Sequence, residues 1–268
     1  MSAEQSHTPN TPDVSAGTAQ DVVHVFADRP ALAAACAATL VERLAAAVAE
    51  RDRADLALTG GGAGIAVVAA LAEAPAVADL DWSRIHLWWG DERWLPAGDA
   101  ERNDHQARQA GIDALMARTA GSPRALTEET VHPFPTADAG LDLDAAAARA
   151  CAELTPMPRF TVVLLGMGPD SHVASLFPDP DGLSVTGVPA AAVRHSPKPP
   201  PERLTLTREV VCAADEVWFT VAGADKAEAV TAVRARRAER RQDKEHPATL
   251  VSGTSATVWW LDEAACGR

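Results

Sequence analysis

The sequence predicts an α/β fold, in which a mostly parallel, doubly wound central sheet carries helices on both faces. Apolar, strand-like runs alternate along the chain with alanine-rich segments of high helix propensity. The strand-like runs are apolar nearly throughout, which is typical of parallel strands buried on both faces. A chain of 268 residues, 47% of them hydrophobic, is also long enough to bury a sizeable core.

The first half of the chain contains three strand–helix units. The β-branched run VVHVF at 22–26 precedes an alanine-rich stretch at 30–51, which has the length and composition of a helix. The run LALT at 56–59 leads into a glycine cluster and then an alanine- and valine-rich helix. The run IHLWW at 85–89 leads through a polar loop into a helix around 106–118.

The second half continues this alternation but contains one irregular part. The runs at 160–165 and 217–221 predict two further strands, and a helix follows the second from Lys226. Residues 183–207 are richer in proline and contain the short run LTLT, which predicts an excursion with a small antiparallel element. Residues 1–20 lack apolar periodicity and are predicted to be a disordered tail. We therefore expect a single α/β domain over 21–268.

The charge balance argues against nucleic acid and against a membrane surface as partners. The chain has 37 acidic and 24 basic residues, a formal net charge of −13. An acidic surface repels the phosphates of DNA, RNA and anionic lipids. A few Lys and Arg side chains can still create a positive potential in one cleft, so a small anionic substrate remains compatible with this composition.

The sequence also predicts a cytoplasmic protein. No apolar run approaches the roughly 18 residues that cross a bilayer, and the N-terminus lacks the pattern of a signal peptide. The four cysteines are far apart and form no CxxC pair, as expected for thiols in a reducing compartment. Composition leaves the oligomeric state open, and we favour a monomer.

A glycine-rich loop follows the LALT run, where a doubly wound sheet binds its ligands. Backbone N–H groups at Gly61 and Gly62 can approach an anion closely, and the dipole of the following helix adds to the attraction. The spacing matches neither GxGxxG nor a Walker loop, which argues against dinucleotides and nucleoside triphosphates. The alternative is a tight strand-to-helix turn that binds no ligand.

Two further strand ends carry charged residues. Asp91 and Arg93 follow the IHLWW run, and the planar guanidinium of Arg93 is suited to hold a phosphate or carboxylate. A structural ion pair is the alternative. After the 160–165 strand, Gly168 begins a turn that presents Asp170 and His172. A neutral histidine can take a proton from water near neutral pH, and a neighbouring carboxylate can orient it and stabilise its cation.

The sequence lacks the motifs of nucleophilic and metal-dependent catalytic sites. The sequence has no GxSxG elbow, no HExxH motif and no recognised cysteine–histidine signature. Neither Asp91 with Glu92 nor Asp170 with His172 has the spacing of a metal cage. We therefore expect no metal and no cofactor.

Four segments resemble the 6-phosphogluconolactonase family, which is related to glucosamine-6-phosphate deaminases and ribose-5-phosphate isomerases. They occur in the family's order and span most of the chain beyond the tail. The matching segments are WWGDERWLP at 88–96 with Asn103 following, LLGMGPDSHVASLFP at 164–178, HSPKPPPERLTLT at 195–207 and VWFTVAGADKAEAV from 217.

The resemblance implies hydrolysis of 6-phospho-D-glucono-1,5-lactone to 6-phosphogluconate, a step of the oxidative pentose phosphate pathway, without metal or covalent intermediate. His172 is then the general base, Asp170 orients it, and Lys198 and Arg203 are further anion ligands. The alternatives are isomerisation or deamination of a sugar phosphate on the same fold, or a sugar-phosphate sensor without turnover.

The chain departs from the family at two places. The phosphate loop reads GGGAG where the family usually has GGSTP, so the hydroxyl donors are missing while the backbone donors remain. Ser171 and Val173 stand where the family usually has Gly and Thr around the histidine.

Overall fold

The computed structural model describes residues 21–178 and 183–268. Its centre is a six-stranded sheet in the order β1-β9-β8-β5-β2-β3, and every neighbouring pair of strands is parallel. All residues of β2 and β5 are buried. Since successive side chains of a strand point to opposite faces, the middle of the sheet is covered on both sides, which confirms the predicted fold class. The strands of this sheet are β1 (Asp21–Phe26), β2 (Ala54–Leu58), β3 (Ile85–Trp89), β5 (Phe160–Leu165), β8 (Glu216–Val221) and β9 (Ala256–Asp262).

Seven α-helices are described in these residues. The helix predicted around 106–118 forms as two α-helical pieces, which a π-helical segment at Arg108–Ile112 connects. The sequence pattern did not predict the helices at Leu143–Glu153 and Arg208–Ala213 or the last strand, β9. The helices are α1 (Arg29–Arg51), α2 (Gly61–Glu73), α3 (Asn103–Ala107), α4 (Asp113–Thr119), α5 (Leu143–Glu153), α6 (Arg208–Ala213) and α7 (Ala227–Ala238).

Helix α1 illustrates how local sequence sets the bounds of an element. The Asp28 carboxylate accepts a hydrogen bond from the backbone N–H of Ala31 at 2.9 Å, and Pro30 occupies the first turn, as is favourable at a helix start. The helix ends at Asp52, whose φ of 58° is left-handed.

The same helix corrects one statement drawn from the sequence. By length and composition α1 is apolar enough to cross a bilayer, although no such run was expected. The hydropathy of α1 comes largely from its many alanines, so the helix is apolar on average although its sequence contains no long run of large apolar residues. In the structure one face of α1 is buried in the core, with Leu32, Leu40 and Leu44 fully enclosed. An amphipathic core helix of a globular domain meets the same criterion of length and composition.

A second, smaller sheet confirms the antiparallel element predicted near 183–207. Strands β6 (Ala190–Val193) and β7 (Arg203–Leu206) pair in antiparallel fashion, and β4 (Asp91–Arg93) extends them. The charged residues after β3 were expected to form a loop, but they form this edge strand. Its register places Arg93 directly opposite Arg203. The small sheet therefore brings two distant charged segments together beside the central sheet.

Two sequence predictions about domain organisation are not settled by the fold. The disordered tail at 1–20 lies outside the described residues. A single domain over 21–268 remains a prediction.

At the opposite end of the sheet from the strand carboxyl ends, two histidines stack beside Trp88. His86 Nδ1 and His132 Nε2 are 2.8 Å apart, and the His132 ring lies 4.0 Å from the Trp88 ring. The Arg53 and Asp55 side chains, themselves paired at 2.7 Å, are the charged groups that act on this cluster. Burial, together with the charges of His86 and Arg53, lowers the pKa of His132 to about 4.

We predict that the free energy of unfolding decreases as the pH falls from about 6.5 toward 4. The folded protein keeps His132 neutral, whereas the unfolded chain takes up a proton in this range, so the contribution is complete above pH 6.5 and is lost toward pH 4. Because the ring is only half buried, we expect on the order of 1 kcal/mol. Urea unfolding at several pH values measures it. His132→Phe keeps the stacking but cannot titrate, and an unchanged pH slope in this variant would contradict the assignment.

Candidate active site

A cleft of about 470 Å³ opens at the carboxyl ends of the parallel strands. The loops that follow β2, β3, β5 and β8 all contribute to its wall, and the segment before β7 closes one side. Asp170 joins the site through its contact with His172. The other predicted site residues all line the cleft: Gly61, Gly62, Asp91, Arg93, Gly168, His172, Lys198 and Arg203.

The turn after β5 presents an imidazole–carboxylate pair. His172 Nδ1 lies 2.5 Å from Asp170 Oδ1, and the ring packs against Phe177 at 4.6 Å between centroids. With Nδ1–H donating to Asp170, the lone pair of the neutral imidazole is on Nε2. The pair is therefore arranged for Nε2 to accept a proton while Asp170 stabilises the resulting cation.

Backbone hydrogen bonds hold this turn in one conformation. The Gly168 N–H donates to the His172 carbonyl at 3.0 Å, and the Ser171 N–H donates to the Gly168 carbonyl at 2.9 Å. Ser171 has a φ of 64°, in the left-handed region that favours glycine, so the serine at this position is accommodated with some strain. The Ser171 carbonyl accepts a hydrogen bond from Ala248 at 3.0 Å, which ties the turn to the chain before β9.

Lys198 places a cation next to the pair. Its Nζ lies 3.5 Å from Asp170 Oδ1 and 3.3 Å from His172 Nδ1. Burial opposes ionisation of Asp170, but the hydrogen bond with His172 and the charges of His172 and Lys198 hold its pKa well below the usual range. Burial lowers the pKa of Lys198, and the Asp170 charge opposes that shift. Asp170 is therefore a carboxylate throughout the neutral pH range.

Arg203 supports the segment that carries Lys198. Its guanidinium donates to the carbonyls of Lys198, Pro199 and Pro200 at 3.1–3.2 Å, and Nη1 lies 3.8 Å from Asp91 Oδ2. The side chain is buried, and burial lowers its pKa. Arg203 lines the cleft, but most of its donors already serve the backbone.

The GDER segment is anchored by Glu92, which the sequence analysis did not select. The Glu92 carboxylate accepts the backbone N–H groups of Arg93, Asn103 and Asp104 at 2.7–2.9 Å. It also lies 3.7 Å from the fully buried guanidinium of Arg102. Burial raises the pKa of Glu92 to about 8, against the opposing effect of Arg102.

The two remaining predicted residues of this segment face different partners. Asp91 accepts a hydrogen bond from Ser175 Oγ at 2.6 Å, so this carboxylate is held inside the protein. Arg93 Nη1 donates to the Glu101 carbonyl. Arg93 Nε is buried and has no hydrogen-bond partner within 21–178 and 183–268. Arg93 therefore lines the cleft, and its buried Nε is a donor that protein atoms in these ranges do not satisfy.

The glycine loop packs directly on Asn103. A Cβ at Gly60 would lie 2.0 Å from Asn103 Oδ1, and Asn103 Nδ2 donates to the Asp91 carbonyl at 2.9 Å. Gly61 has a φ of 78°, which favours glycine. Asn103 thus joins the loops after β2 and β3. Asn103 and Lys226 were noted in the sequence only as parts of motifs, and Arg29, which also lines the cleft, was not identified there.

The described residues were also compared with the requirements of a metal site. Within the described ranges, no three His, Cys, Asp or Glu side chains lie together in a way that could hold a metal ion.

Gly168→Ala is predicted to disrupt the catalytic turn selectively. The new Cβ would lie 2.0 Å from His172 Nδ1 and 2.3 Å from Asp170 Oδ1, so the imidazole must move. We expect kcat to fall about 10²-fold, since displacing a reacting group by about 1 Å has effects of this size. Gly166→Ala is the matched control, because a Cβ there meets no atom closer than 3.7 Å. Equal kcat in the two variants, both folded by circular dichroism, would contradict the prediction.

Comparison with known proteins identifies the family. The family model for glucosamine-6-phosphate isomerases/6-phosphogluconolactonase matches residues 27–260. The 6-phosphogluconolactonase of Streptomyces coelicolor is 42% identical over 262 residues, covering 94% of this chain and 95% of that protein. The Mycobacterium tuberculosis 6-phosphogluconolactonase is 38% identical over 255 residues, covering 92% and 97%.

Solved structures show the same fold. The crystal structure of 6-phosphogluconolactonase from Thermotoga maritima superposes with a TM-score of 0.75 at 24% identity, covering 91% of this chain and all of that one. A monomeric glucosamine-6-phosphate deaminase superposes with a TM-score of 0.71 at 17% identity, covering 92% and 99%. These structural matches concern the fold alone, whereas the family model and the two relatives assign the chain to a family. The chain belongs to the glucosamine-6-phosphate isomerase/6-phosphogluconolactonase family.

Proposed function

We propose that the chain hydrolyses 6-phospho-D-glucono-1,5-lactone to 6-phospho-D-gluconate in the oxidative pentose phosphate pathway. Relatives that align over more than nine-tenths of the chain carry the name 6-phosphogluconolactonase. The observation that carries the mechanism is the His172–Asp170 pair, 2.5 Å apart, with its imidazole in the cleft wall. The same proposal includes a cytoplasmic location, which four free thiols suit, and a monomer as the favoured state.

The first step is attack of water on the lactone carbonyl. His172 Nε2 takes a proton from water as the water oxygen bonds to C1, and Asp170 stabilises the imidazolium through Nδ1–H. Negative charge develops on the carbonyl oxygen. We assign stabilisation of that charge to Lys198, whose Nζ lies 3.3 Å from His172 Nδ1.

Ring opening returns the proton. The bond between C1 and the ring oxygen breaks, and His172 gives its proton to that oxygen, which becomes the C5 hydroxyl. The new carboxylic acid then loses its proton to solvent. The proton taken from water and the proton given to the ring oxygen both pass through one imidazole, so these two steps need no cofactor.

Binding of the phosphate group is assigned to the other loops. Gly61 and Gly62 are the first two residues of α2, and the helix dipole favours an anion beside their backbone N–H groups. Arg93 adds a guanidinium with an unsatisfied buried donor. Asp91, Gly168 and Arg203 shape the cleft and hold these groups in place.

His172→Ala is predicted to lower kcat about 10²-fold or more while the fold is retained, which is the contribution of a positioned general base. Acid release from the lactone, measured above its spontaneous hydrolysis, gives the rate. His246→Ala is the matched control, since His246 forms a similar pair with Asp243 at 2.8 Å and is not part of the cleft wall. A folded His172→Ala variant with near-native turnover would remove His172 from the mechanism.

Activity is predicted to survive exhaustive chelation. Hydrolysis of a strained lactone needs a base and charge stabilisation, which His172 and Lys198 supply. The measurement is lactone turnover after incubation with EDTA and gel filtration. Loss of activity that one added divalent ion restores would overturn this part of the proposal, and Asp91 with Glu92 would then be the first candidates for ligands.

The same assay separates the alternative functions. A deaminase or isomerase releases no acid from the lactone and instead converts amino sugar or aldose phosphates. A sensor binds the sugar phosphate without turnover. Lactone-dependent acid release that the His172 variant lacks is the outcome that supports the proposal.

A further inference from the structure

One side of the cleft contains an arginine that neither the motifs nor the mechanism use. Arg29 is the first residue of α1, and its side chain extends to the glycine loop. A Cβ at Gly62 would lie 3.1 Å from Arg29 Nη1 and 3.4 Å from Cζ. The guanidinium therefore lies against the Gly62 backbone, in the space that a side chain at this position would need.

This contact falls where the chain departs from its family. When GGGAG at 60–64 is matched letter by letter with GGSTP, Gly62 and Ala63 stand in place of serine and threonine. Gly62 does not have a left-handed φ, so its backbone accepts any residue. Arg29 supplies the atoms nearest to a Cβ there. A side chain at this position would therefore press on the guanidinium, which would have to shift by a few tenths of an ångström.

The surroundings of Arg29 leave its charge available for a ligand. Among residues 21–178 and 183–268, no carboxylate lies within 4.0 Å of its guanidinium. The nearby Asp225 is already paired with Lys226 at 2.8 Å. The hydrogen bond and charge of Lys226 hold the pKa of Asp225 below its ordinary value, and the Arg29 charge adds to this effect. Two cations and one carboxylate therefore share this part of the cleft wall.

We propose that Arg29 binds the substrate's phosphate group and takes over, with a guanidinium, the role of the hydroxyls that the glycine loop lacks. A guanidinium forms two parallel hydrogen bonds to phosphate oxygens, whereas a hydroxyl forms one. The backbone N–H groups at the start of α2 complete the site. This inference rests on the proposed function for the identity of the phosphorylated ligand.

The first experiment measures binding of inorganic phosphate and of 6-phosphogluconate by calorimetry, with gluconate as the unphosphorylated comparison. Arg29→Ala is expected to weaken binding of both phosphorylated probes about tenfold or more, and to leave gluconate binding unchanged. Arg43→Ala is the matched control, because Arg43 lies on the same helix and pairs with Glu216 away from the cleft. Unchanged phosphate binding in Arg29→Ala, or an equal loss for gluconate, would overturn the proposal.

The second experiment tests the exchange of a guanidinium for a hydroxyl. Gly62→Ser alone should weaken phosphate binding, because its side chain displaces Arg29. In the double variant Arg29→Ala/Gly62→Ser the hydroxyl has room, and binding should recover relative to Arg29→Ala. A merely structural arginine predicts no such recovery, so additive losses would count against the proposal.

Failure of this inference can be told apart from failure of the proposed function. If the wild-type chain binds inorganic phosphate through Arg29 but does not hydrolyse the lactone, the function is wrong and Arg29 remains an anion ligand. If the lactone is hydrolysed and Arg29→Ala leaves phosphate binding unchanged, only the inference about Arg29 fails.

Discussion

The absence of a side chain at Gly168 is the constraint on which the geometry of the His172–Asp170 pair depends. The imidazole and carboxylate of the turn after β5 occupy the space where a Cβ at this position would lie. A short turn can therefore bring two side chains, separated by one residue, into a 2.5 Å contact. The hydrogen bond from Ala248 to Ser171 then fixes the turn against a segment that is distant in sequence. The arrangement of this pair therefore depends on the absence of a side chain at Gly168 as much as on the imidazole and carboxylate themselves.

The two sheets explain how distant segments meet around that turn. Parallel pairing places the ends of β2, β3, β5 and β8 along one edge, so four loops converge without any special sequence. The small antiparallel sheet adds one more side of the cleft. Strand β7 pairs with β4, and the segment before β7 places Lys198 beside His172. Glu92 holds the beginning of α3 against β4, and Asn103 connects that helix to the glycine loop. The cleft is thus assembled from short elements that backbone and buried polar contacts lock together.

Much of this arrangement could be predicted from the sequence, and the missing part has a physical reason. Apolar runs and glycine-rich strand ends located the loops, and hence His172, Asp170, Arg93 and the glycine loop. Strand β9 has the same apolar signal in VWWL, but nothing local shows that it inserts between β1 and β8. Arg29 has no motif around it, and only the packing of α1 brings it to Gly62. The hydrophobic periodicity of a sequence predicts helices and strands, but it does not predict which of them pack together in the folded protein.

The cations of the cleft show why net charge says little about a binding site. Arg102 is buried among backbone carbonyls and Glu92, and Arg203 serves three carbonyls, so both stabilise the fold around the site. Arg29, Arg93, Lys198 and Lys226 also line the cleft. Since the chain as a whole carries a charge of −13, these few groups create a local potential of opposite sign. Under the proposed function, discrimination between phosphorylated and unphosphorylated sugars depends on how the donors of these side chains are divided between protein and ligand, and the fold sets that division residue by residue.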